Sequence, residues 1–281
     1  MKKASSILKI FLYSVAALTL LTPLLFTISM FTAFDADVGY FSSAKILPYI
    51  QTALMTVSII FFAAIMFFFP KKSLPREKQE SSKLDTFASL FCGIVFLCGA
   101  AIKFFSTYNN TAAMSPSQKY LFIAITISGL IAAAHFICDA IIPSGKAIGS
   151  KIISGIFVIG NLLLTIVLEH TDYMVPINAP RKTLLFLGFI SASMFIVQEM
   201  RAKTNILLPR AYMFFGATTT LICGTMSVSG LIAHYAGVFK CDSFLVYYLI
   251  ALAFAIYASS KTGTYIKNAE ESFALEAEKE D

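Results

Sequence analysis

The stretch that decides the fold is Tyr120–Ile142, YLFIAITISGLIAAAHFICDAII, stopped by Pro143. It is 23 residues long and holds only two side chains that carry charge near neutral pH, His135 and Asp139. About 20 apolar residues in a helix cross the hydrocarbon core of a bilayer, so the segment reads as a transmembrane helix. His135 and Asp139 are four apart and share one helical face. Charge at lipid depth is costly and marks a functional candidate.

Seven further segments read the same way: Ile7–Met30, Ile46–Phe69, Thr86–Thr107, Ile152–Leu168, Thr183–Met200, Ala211–Ala236 and Phe244–Ile266. Prolines or polar clusters separate them. The composition agrees, with 57% hydrophobic and 14% charged residues, where soluble domains carry about 25% charged residues. The expected fold is an all-α polytopic membrane bundle of eight transmembrane helices. Residues 1–267 form one transmembrane domain and residues 268–281 a short acidic cytoplasmic tail that soon frays. The basic start MKKASSILK opens an uncleaved first span, because its apolar run exceeds a signal peptide and lacks a small-residue cleavage site. Pro23 within that span favours a kink.

The loops set the orientation. Eight spans sort the 22 basic residues into 16 on the side of the N terminus and six on the other. The positive-inside rule then places both termini in the cytoplasm of a multi-pass cell-membrane protein. The formal charge of +6 therefore reports topology. No basic-aromatic motif points to nucleic acid. The expected partners are the lipid bilayer, a small solute or ion, and another membrane protein.

The polar residues at lipid depth define one candidate cavity. His135 and Asp139 lie toward the cytoplasmic end of span four, Gln198 and Glu199 end span six on that side, and Asn161 lies deeper in span five. Together they offer a pocket that could pass protons or hold a cationic solute. In a plainer reading, Asp139 and Glu199 pair with Lys146, Lys151 or Arg201, and His135 makes one interhelical hydrogen bond. Span seven, Gly216–Gly230 (GATTTLICGTMSVSG), adds Thr219 and Ser227. Such small and hydroxyl residues suit close helix packing, a cavity-lining helix, or one unwound near Gly224 and Gly230.

Other features are weaker. Lys103, Glu169, His170 and His234 fall at the opposite end as interfacial residues, with Lys103 and His234 an alternative vestibule. Phe34–Phe41 (FDADVGYF) is an interfacial turn or a ligand lip, with too few carboxylates for calcium. Asn109-Asn110-Thr111 is a formal glycosylation sequon. Leu90–Lys103 and Leu221–His234 share a Cys-Gly pair, a second glycine and a basic end, through shared packing or internal repetition.

No cofactor or metal site is expected. His135 and Asp139 supply two ligands where zinc needs three or four, and the five cysteines have no metal or redox spacing. No hydrolase, metalloprotease or phosphate-loop motif occurs. The chain is thus expected not to be an enzyme. Solute handling, transporter-like or as the membrane component of a transporter, is the leading expectation. A non-transporting sensor, assembly factor or scaffold is second, and an intramembrane enzyme using His135, Asp139 and Glu199 a distant third.

Overall fold

A computed structural model describes residues 2–35, 39–69, 74–75, 82–109, 116–143, 145–171, 179–238 and 242–280. Eight helices make up the fold: α1 (Lys2–Thr32), α2 (Leu47–Phe68), α3 (Lys83–Asn109), α4 (Pro116–Ile141), α5 (Ile148–Thr171), α6 (Pro180–Lys203), α7 (Pro209–Tyr235) and α8 (Asp242–Glu280). All eight are long and apolar enough to cross a membrane. The eight-span reading of the sequence therefore stands. A two-stranded hairpin, β1 (Phe34–Asp35) with β2 (Tyr40–Phe41), joins α1 to α2. Asp37, the sequon residues Asn110 and Thr111, and most of the loop between α2 and α3 lie outside the described residues.

The helix boundaries follow from local chemistry. Proline at the first position opens α4, α6 and α7, where its missing N–H costs nothing. At the start of α3 the caps are reciprocal. The Asp85 N–H donates to Ser82 Oγ at 3.1 Å and the Ser82 N–H to Asp85 Oδ2 at 3.1 Å. Helix α1 runs on past Pro23. Helix α8 departs from expectation. The acidic segment after Lys267 stays helical to Glu280, because Ala, Glu and Leu favour helix and buried Ala269 and Phe273 anchor its first turns.

Helices α3 to α8 form a ring in which each packs on the next and α8 returns to α3. The hairpin of α1 and α2 lies outside this ring against α7. Aromatic rings fill the space enclosed. Phe136 of α4 has ring centroids 5.5 Å from Phe96 of α3, 5.9 Å from Phe254 and 5.2 Å from Tyr257 of α8. Phe195 of α6 extends the column to Tyr212 of α7 at 5.2 Å. Offset and edge-on contacts at these spacings are favourable.

Helix α7 keeps its helical course through Gly224 and Gly230, so neither glycine marks an unwound turn. Two of its glycines admit α8 instead. A Cβ at Gly216 would stand 2.0 Å from Thr262 Oγ1, and one at Gly230 would stand 2.5 Å from the Tyr248 ring. The likeness of α3 to α7 has a physical counterpart here. Gly99, the match of Gly230, faces Val246 and Ile250 of the same helix α8.

Candidate functional site

The N termini of α3, α5 and α7 and the cluster-bearing turns of α4, α6 and α8 lie at one end of the ring, the end where α1 begins. Asp139, in the last turn of α4, pairs with three ammonium groups there. Lys203 Nζ of α6 lies 2.8 Å from Asp139 Oδ1, Lys261 Nζ of α8 lies 3.2 Å from Oδ2, and Lys151 Nζ of α5 lies 3.8 Å from Oδ1. All four side chains are at least 94% buried. One carboxylate thus ties together four helices, including α4 and α6, which are not neighbours in the ring.

The surroundings balance this charge. Lys151 also donates to the carbonyls of Ile142 at 2.8 Å and Pro143 at 3.3 Å, placing a cation on the negative end of the α4 dipole. Glu199 and Asp85 act electrostatically on Lys261. Glu199 accepts a short hydrogen bond from the Tyr212 hydroxyl. Asp85 Oδ1 accepts from Ser260 Oγ at 2.5 Å and from Thr264 Oγ1 at 3.2 Å. Lys261 thus feels three carboxylates, Asp139, Glu199 and Asp85, and its ammonium lies 5.4 Å from the Tyr257 ring centroid.

His135 is 1% exposed and lies one helical turn from Asp139 toward the ring's middle. Its Nδ1 is 2.8 Å from Ser154 Oγ of α5, and Ser154 donates to the Ser150 carbonyl at 2.8 Å. A Cβ at Gly155 would stand 2.8 Å from Met200 Sδ and 3.4 Å from His135 Cε1, so this glycine admits Met200 of α6 beside the imidazole. His135, Asp139 and Glu199 thus share one end of the ring but take different partners: Ser154, the lysines and Tyr212.

The remaining sequence candidates are dispersed. Asn161 Nδ2 donates to the Ile125 carbonyl at 2.8 Å and to Ser128 Oγ at 3.1 Å. It joins α5 to α4 at mid-depth, beside a water-sized cavity of about 20 Å³ that Lys103 and Tyr247 also line. Gln198 and Thr219 are buried, with Gln198 Oε1 and Thr219 Oγ1 lacking hydrogen-bond partners among the described residues. Ser227 donates to the Gly224 carbonyl of its own helix at 3.2 Å. At the far end Lys103 donates to the Tyr247 hydroxyl at 2.5 Å, with its ammonium 4.4 Å from that ring's centroid. Glu169 is 6% exposed, so it is packed inside the protein.

Sequence reading reached Asp139 and Lys151 but missed Lys203, Lys261, Tyr212 and Asp85. Lys261 carried a usable signal. It lies inside the eighth span, five residues before its end at Ile266 and close to the depth of Asp139. Comparison with protein-family models, curated proteins and solved structures returns no match.

Proposed function

We infer that this multi-spanning membrane protein handles a solute, as a transporter or as the membrane component of one, with the Asp139 cluster closing one end of its helix ring. The observation that carries the reading is the set of three buried lysines on a single buried carboxylate that links α4, α5, α6 and α8. Desolvating such charges cancels much of their attraction, and apolar side chains of similar size would hold helices as well or better. A cluster of this kind suits contacts that must break and reform as helices separate. The excess of basic loop residues at this end supports assigning it to the cytoplasm. His135, one turn deeper, would be the first group met by solute or water once the cluster opens. No catalytic role is assigned to it.

The packed aromatic column of Phe96, Phe136, Phe254 and Tyr257 favours the second reading, a non-transporting scaffold, because it leaves little room for a solute path in this conformation.

The test combines flux and access. Proteoliposomes are challenged with concentration jumps of organic acids, amino acids, sugars and inorganic ions while charge movement is recorded. In parallel, a cysteine at position 154 in a cysteine-free background is probed with an impermeant maleimide from each side. A saturable signal lost in Asp139→Asn, with labelling from the Asp139 end, supports transport. A folded protein that gives no signal and stays unlabelled from both sides is a scaffold.

A further inference from the structure

Outside the ring, α1 stands away from α8 and leaves a groove of about 490 Å³ that opens sideways. Its walls include Leu12, Ala16 and Leu20 of α1, Gly224 of α7, and Ala255 and Gly263 of α8. The wall hydroxyls turn toward protein. Thr220 donates to the Gly216 carbonyl at 2.8 Å and Ser259 to the Ile256 carbonyl at 3.0 Å. Thr262 rests against Gly216. The hydroxyls of Thr19 and Thr262 have no hydrogen-bond partner among the described residues. The rest of the lining is almost wholly apolar, so the groove presents mostly hydrocarbon at lipid depth.

Along α8 the lining runs from Leu252 to Ile266, about 21 Å at 1.5 Å per residue. An apolar groove of that length matches an extended alkyl chain, whose carbons gain contacts at about 3.5–4.0 Å along its walls.

Charge marks the end at which a headgroup would lie. The α1 row of Leu12 and Ala16 continues back to exposed Lys9, and the α8 row through Gly263 continues to exposed Lys267. Lys267 is also 3.9 Å from Glu271, so Lys9 is the less engaged cation. Lysines at this level can meet a phosphate while their stems lie along apolar surface.

We propose that this groove binds one acyl chain of an anionic phospholipid, with its phosphate at Lys9 and Lys267. The site is distinct from the Asp139 cluster, and its test does not depend on transport. Native mass spectrometry of protein purified with phosphatidylglycerol, then exchanged through detergent, should show one retained phospholipid. Gly263→Phe should abolish that adduct, because a side chain at Gly263 meets nothing within 4 Å and would fill the groove. Gly160→Phe, on α5 with equally open space, should retain it. Lys9→Gln should lower retention of phosphatidylglycerol relative to phosphatidylcholine. If Gly263→Phe does not fold, phosphatidylglycerol with a diazirine in its acyl chain decides on the unmodified protein. Saturable labelling confined to groove residues of α1, α7 and α8 is the expected result. Unsaturable labelling spread over the outer helix faces, an adduct surviving in folded Gly263→Phe, or retention of free fatty acid alone overturns the proposal.

Discussion

Helices α7 and α1 are built on opposite plans. The most apolar window of α7 is less hydrophobic than that of any other span, yet 78% of it is buried. The corresponding window of α1 is more apolar and only 22% buried. In water the apolar helix would be the inner one. In a bilayer, lipid tails are as apolar as leucine, so hydrophobicity does not draw a helix inward. Small residues that permit close approach, and hydroxyls that need partners, take the interior. Contact between the two helices shows the rule at atomic scale. Thr22, among the few buried residues of α1, sets its Oγ1 2.9 Å from Thr225 Oγ1 of α7.

The contrast fails if enlarging the small residues of α7 is harmless. Gly216→Leu and Gly230→Leu should have the largest effect, since even a Cβ at these positions runs into Thr262 or the Tyr248 ring. Loss of the monodisperse peak in detergent chromatography is the expected readout, and a normal peak for both variants would refute the close-packed α7–α8 contact. Next comes Asp139→Ala, which leaves Lys151, Lys203 and Lys261 without their shared carboxylate at a cost of about 3–5 kcal/mol. Reversible unfolding in SDS measures it. Adding Lys203→Met should recover part of the loss, and a double variant worse than the single would show that Asp139 is not the counter-ion of Lys203.

A smaller change sharpens the same comparison. Asn161→Leu removes the α5-to-α4 hydrogen bonds to Ile125 and Ser128 and should cost about 0.6–2 kcal/mol in the same assay. The smallest belongs to α1. Leu20 is 77% exposed, and Leu20→Ala should change stability by less than about 0.5 kcal/mol. A cost as large as that of Asn161→Leu would mean that α1 packs inward.

What the sequence disclosed follows from the same physics. Span number was legible because hydrocarbon thickness demands a long apolar run from each helix, and charge punctuated the runs. The neighbours of Asp139 were only half legible. Lys151 stood at the mouth of span five and was a named partner. Lys203 looked like a loop residue and Lys261 like a span-end lysine, because a long stem can carry an ammonium either out to solvent or back into the protein. Which way it turns depends on where helices α4, α6 and α8 meet, and helix order around a ring is not written in hydropathy. The polar α7 shows the same limit. Its composition announced burial, but the choice between packing and a solute path required knowing that Tyr248 and Thr262 occupy its glycine notches.

The length of α8 has a mechanical consequence. Lys261 fixes this helix within the ion-pair cluster, and the helix continues without a break to Glu280, about 28 Å further at 1.5 Å per residue. Tyr265, Ile266, Ala269 and Phe273 hold the first part of this extension against the protein, so one continuous helix joins the buried charges to the C-terminal end, where an attached probe would register a shift of the cluster.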